Sequence, residues 1–185
     1  MPVESTPLLN KSDGRMKPFA FQGAWVHHHH KGNTLDVGWI HKVSPRSMNE
    51  WYGIQEAIGL TDNGLQPDGT PAGYHRAAHS AGIGTLRWGM KRDHWHLDMW
   101  NLYLDKINNS TWMQLELHKG HWMLGSIYSF QAPLAYQKTL EYGKRYVQPD
   151  ERGRVLSLAG TYRQNGWQFK SAYSRAFATG RYLFP

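Results

Sequence analysis

The sequence predicts an all-β protein: an antiparallel transmembrane β-barrel portion of about eight long meander strands, with short turns on one end and long loops on the other. Three observations carry this. Apolar and polar residues alternate with period two over long runs. Every second connection is a short turn. Trp recurs just after those turns.

The strands are taken in order as 19–29, 34–43, 80–91, 94–104, 109–118, 121–131, 154–164 and 167–177. Each runs to 10–12 residues. A globular strand usually has about 5–6 residues, whereas a tilted membrane strand needs about 9–11. In 34–43, Leu35, Val37 and Trp39 oppose Asp36, Gly38 and Lys42. In 80–91, Leu86, Trp88 and Met90 oppose Thr85, Arg87 and Lys91. In 109–118, Met113, Leu115 and Leu117 oppose Gln114, Glu116 and His118. In 154–164, Leu156, Leu158, Gly160 and Tyr162 oppose Val155, Ser157, Ala159, Thr161 and Arg163.

Lys31-Gly32-Asn33, Arg92-Asp93, Lys119-Gly120 and Asn165-Gly166 occupy the short connections. Asn-Gly is a strong two-residue hairpin signal, because a type I′ turn needs positive φ at both positions. The long connections near 44–79 and 132–153 both fall on the other end, while 105–108 is a short exception there. Trp51, Ile54 and Ile58 stand at helical spacing inside the first long loop and predict a short helix. Trp95, Trp122 and Trp167 each follow a short turn, at one common height. Tyr103, Tyr128, Phe130 and Tyr173 lie nearer the long loops. Two aromatic girdles at a lipid boundary account for a chain with 9 Trp and 10 Tyr but only 40% hydrophobic residues. The chain reads as part of one domain over 1–185, with no interdomain linker.

Composition removes other classes. No run approaches the roughly 18 apolar residues of a membrane helix. Zero Cys means no disulfide framework and no thiolate metal site. The net charge is +7, but the basic residues are scattered over turns and loops, so no nucleic-acid partner is expected. No nucleophile elbow or phosphate loop is present, and the expectation is no enzyme, no catalytic residue and no cofactor. His27 to His30 alternate between faces, and His94 and His96 share a face without a third ligand, so no metal site is expected.

The segment TPLLNKSDGRMKPFAFQG at 6–23 holds an Asp-x-Arg-x-x-Pro core of Asp13, Arg15 and Pro18. SRAFATGRYLFP closes the chain at 174–185, and VSPRS lies at 43–47. These blocks resemble the OprD-type outer-membrane porin family. The resemblance implies a substrate-selective porin of the Gram-negative outer membrane, with an 18-stranded barrel and a homotrimer as the suggested assembly. It also implies that this chain is an internal fragment, lacking the signal peptide and the flanking strands. The expected function is passive diffusion of small hydrophilic solutes: amino acids, carboxylates, peptides or short saccharides. The expected surroundings are outer-membrane lipids.

The pore-lining candidates are Lys42, Arg87, Lys91, Asp98, Gln114, Glu116, Arg163 and Lys170 from the polar strand parity, with Asp13 and Arg15 from the family block. Arg46, Glu50 and Asp62 are the polar candidates of the long loop. Two other readings stay open. One is a soluble β-barrel binding module; the other is a small, complete eight-stranded outer-membrane barrel.

Overall fold

The computed structural model describes residues 20–44, 49–57, 80–134 and 151–180. Eight long antiparallel strands follow one another in a single sheet: β1 (Ala20–His30), β2 (Asn33–Ser44), β4 (Ile83–Lys91), β5 (Trp95–Leu104), β6 (Asn108–Lys119), β7 (Trp122–Pro133), β8 (Gly153–Gln164) and β9 (Trp167–Ala176). A two-residue β3 (Tyr52–Gly53) pairs with β2 and leads into one helical turn, α1 (Ile54–Ala57). The short helix expected around Trp51, Ile54 and Ile58 is therefore present over Ile54–Ala57, and Ile58 lies outside the described residues. Apart from β3, chain neighbours are sheet neighbours throughout, and β1 and β9 form the two edges.

The turns explain the meander. Lys31 and Gly32 have φ of 45° and 74°, and Asn165 and Gly166 have 48° and 80°. Positive φ at both central positions is the type I′ signature, whose twist matches that of the flanking strands. At 165–166 the Asn-Gly pair adopts it at low steric cost. At 31–32 Lys takes the first position, which the right-handed preference of L-residues makes less favourable.

Paired residues in an antiparallel sheet share a face, so the register sorts every strand into two sets. The outer set is apolar: Leu35, Val37, Leu86, Met113, Leu124 and Leu158 belong to it. Every large hydrophobic side chain left exposed among the described residues lies on this face, except Trp51. The inner set holds most of the buried residues from β2 to β7, while its members on β9 are exposed.

Near the long-loop end the inner face carries a hydrophobic core of Ile40, Val43, Ile83, Leu102, Leu104 and Ile107. Ile54 of α1 packs onto it at 4% exposure, with Phe21, Trp25 and Ala57 around it. The 49–57 segment therefore covers part of the inner face.

Two details differ from the sequence reading. The third long strand begins at Ile83 rather than at residue 80. The pairing of β1 with β2 shifts between Gln22 and Gly23, so Gly23 opposes Ile40 while Gln22 opposes Lys42. This bulge inserts one residue and reverses the alternation beyond it. Phe21 and Val43 then share the inner set, and Lys42 falls to the other one. Simple period-two counting put Lys42 with Asp36 and Gly38; the bulge separates them.

Candidate functional site: a polar inner wall

Below the apolar core the inner face is polar, and adjacent strands cross-link it. Arg87 of β4 reaches diagonally to Asp98 of β5. Its Nε donates to Oδ1 at 2.9 Å, and Nη2 donates to Oδ2 at 3.2 Å. This two-bond geometry is the strong form of an arginine–carboxylate pair. Gly89 stands opposite Asp98 and makes the diagonal reach feasible, since a Cβ there would lie 2.9 Å from Asp98 Oδ1. Asp36 of β2, only 5% exposed, sits with its Oδ2 3.7 Å from Arg87 Nη1. The guanidinium also lies 4.8 Å from the Trp100 ring centroid, a cation–π distance.

Histidines extend the same strip. His27 Nδ1 bonds to Asp36 Oδ1. His96 Nε2 lies 3.1 Å from Asp98 Oδ2. On β6, Gln114 bonds to Glu116, and His118 Nε2 is 3.8 Å from the other Glu116 oxygen. Toward the loop end, Gln131 Nε2 donates to Ser110 Oγ at 2.9 Å, with both residues buried. Beyond β7, with the Gln168 amide oxygen turned toward Arg163, it accepts from Nε at 2.7 Å and Nη2 at 2.9 Å. Lys170 is exposed and stands opposite Thr161.

The structure thus brings Arg87 and Asp98 into direct contact and puts Gln114 beside Glu116. Lys91, Arg163 and Lys170 share their face at separate positions along the wall. Lys42 does not share it, for the bulge given above. Asp13 and Arg15 lie outside the described residues, as do Arg46 and Asp62. Glu50 accepts the Tyr52 hydroxyl at 2.8 Å, and this bond raises the phenol above its ordinary pKa. Asp36, His27, His96 and His118 complete the strip without having been singled out as wall residues. Their parity was visible in the sequence; their partners needed the register. Among the described residues no three His, Asp or Glu side chains gather as a metal site.

The outer face carries rings at the short-turn rim. Trp122 packs on Tyr162 at 4.7 Å between centroids, and Trp167 stacks on Phe169 at 6.4 Å. Arg92 lies 5.9 Å from the Trp95 ring. Indoles favour such a boundary, where the ring is half in an apolar phase.

The family model described as outer membrane porin, OprD family, matches residues 2–184. No curated protein sequence matches. Among solved structures, OccK8 (OprE) of Pseudomonas aeruginosa has a TM-score of 0.60 at 17% identity, covering 92% of this chain and 44% of that one. OccK2 (OpdF) of Pseudomonas aeruginosa, solved in complex with glucuronate, has a TM-score of 0.58 at 20% identity, covering 93% and 42%. A BenF-like porin from Pseudomonas fluorescens Pf-5 has a TM-score of 0.55 at 18% identity, covering 92% and 39%. At these identities the likeness is one of fold. The chain spans less than half the length of each of these structures.

Proposed function

Because this chain belongs to the OprD family of outer-membrane porins, we propose that it supplies eight strands to the wall of a channel that passes small hydrophilic solutes down their gradient. The observation that carries this is the division of the sheet into an apolar outer face and a polar, cross-linked inner one. A wall between lipid and water needs that division on every strand. A soluble module does not: contiguous exposed apolar patches beyond a few hundred Å² are rare on soluble monomers. In this reading the apolar face contacts outer-membrane lipids, and further strands pair with the edges of β1 and β9, since lipid does not tolerate unpaired backbone groups. A complete eight-stranded barrel would fill its interior with side chains; a wider one leaves the inner wall wet.

Selectivity in this reading comes from wall charge and from the 49–57 segment, which narrows the passage from the long-loop end. Lys91, Arg163 and Lys170 give the wall cations that attract carboxylate-bearing solutes, because a low-dielectric channel focuses the field. The glucuronate bound to OccK2 is a solute of that class. Asp13 and Arg15 keep the loop-positioning or solute-contact role that the family block implies. The experiment is conductance of the full-length protein in planar bilayers, with ion selectivity read from reversal potentials. Stepwise channel currents are expected. Replacing Lys91 and Lys170 with Glu should shift the preference toward cations without abolishing current. A folded, membrane-inserted protein that never conducts would sink the proposal.

A further inference from the structure

We infer that the histidines at the short-turn end of the inner wall set the channel's ion preference as a function of pH; the inference rests on the pore reading above. The four consecutive histidines of β1 divide by face. His27 and His29 are inner; His28 and His30 are outer and stack on each other at 6.4 Å. His96 of β5 and His118 of β6 share the inner set, each two residues from a short turn. Three separate strands thus send a histidine to the same face near the same rim, and each meets a carboxylate: Asp36, Asp98 and Glu116 respectively.

The other titratable and charged groups on this face are Arg87, Lys91 and His29, which bonds to Thr34 Oγ1 at 3.0 Å, with Arg163 and Lys170 beyond β7. Arg87 bonds to Asp98 and lies near Asp36. Lys91 stands opposite His96, and Glu116 also opposes His96 from β6. His118 faces His94 across β5, whose carbonyl accepts its backbone N–H at 2.8 Å, and Met123 across β7. His27 has Asp36 alone opposite it, β1 being the sheet edge.

With neutral histidines the strip sets three carboxylates against Arg87 and Lys91, with Arg163 and Lys170 farther along the same face. Protonation of the four inner histidines, His27, His29, His96 and His118, adds up to four cations and makes the wall more positive. Histidine is the side chain whose charge ordinarily changes between about pH 5 and 8, while carboxylates titrate near pH 4. The wall's preference for anions therefore strengthens in mildly acidic medium and weakens in mildly alkaline medium.

Reversal potentials across a KCl gradient test this, measured on the full-length protein at about pH 8 and about pH 5.5. The anion-to-cation permeability ratio should rise about twofold or more on acidification. The combined replacement His27→Gln, His96→Gln and His118→Gln should remove most of that response, leaving what His29 contributes, with channels still open. The single replacements His96→Gln and His118→Gln should each remove part of it, which covers a triple variant that fails to insert. Replacing the outer pair, His28→Gln with His30→Gln, should leave it intact. A conducting wild type with a flat response overturns the inference, as does a conducting triple variant that keeps the full response or an outer pair that abolishes it. Absence of current at either pH instead removes the pore reading, and the inference with it.

Discussion

Gly38 and Trp25 face each other across β1 and β2, and the glycine is what lets the indole lie flat on the inner face. A Cβ at Gly38 would stand 2.4 Å from Trp25 Cε3 and 2.7 Å from Thr85 Oγ1. Neither neighbour is the free end of a long side chain, so both must move. Trp25 packs against the apolar core that also receives Ile54, and displacing it loosens the seat of the loop segment. Gly38→Ala should therefore cost about 1–3 kcal/mol, the usual penalty of overpacking. Gly125 is the internal control. It lies on the same inner face of β7, with nothing within 4 Å of its Cβ position. Gly125→Ala should be neutral or should stabilise by about 0.4–1 kcal/mol, because it restricts the unfolded chain. Urea titrations of the full-length protein in lipid vesicles separate the two; equal midpoints would show that the Trp25 contact does not constrain the fold.

At the scale of the strand, adjacent residues live in different solvents. Leu158 of β8 points outward beside Ser126 and Tyr173, whereas Ser157 points inward beside Ile127 and Ser174. Ser157 Oγ accepts from the Ser174 hydroxyl at 2.8 Å. Leu158→Arg should destabilise the membrane-inserted protein by about 2–4 kcal/mol, the cost of a cation near the bilayer midplane. Ser157→Arg should cost far less, since its charge reaches water. Comparable losses in vesicle unfolding would contradict the assignment of faces. This alternation is why most of the fold was legible in the sequence. Long period-two runs and Asn165-Gly166 locate strands and turns by local chemistry alone. What was not legible depends on two strands at once. Nothing near Ile40 or Lys42 announces the bulge, which exists only as a mismatch with Gln22 and Gly23. Likewise the Asp36–Arg87–Asp98 strip joins residues whose shared parity was visible but whose adjacency is set by register. Lys42 is the residue for which local counting and cross-strand pairing give different answers.

Over the whole sheet the two faces form continuous surfaces, and the division tests the architecture directly. The outer surface runs from Val26 on β1 to Phe169 and Tyr173 on β9, all well exposed, with ring pairs at the short-turn rim. The inner surface runs from His27 through Arg87 and Asp98 to Gln168 and Lys170, where side chains meet water or one another. The chain contributes no cysteine, so within it a single introduced thiol reports its own position. Cysteines at Ser157, Ala159 and Ser174 should react with a membrane-impermeant, water-soluble maleimide when the full-length protein is in lipid bilayers. Cysteines at Leu156, Leu158 and Tyr173 should resist that reagent and react with a lipid-soluble one. The pattern should alternate residue by residue along β8 and hold its phase across β9, because the two strands are in continuous register from Val155–Ala176 to Gln164–Trp167. Along β2 the phase should slip once, between Ile40 and Lys42, where the bulge lies. Uniform reactivity toward the water-soluble reagent would mean a sheet surrounded by water on both faces, and would return the soluble binding module as the better reading.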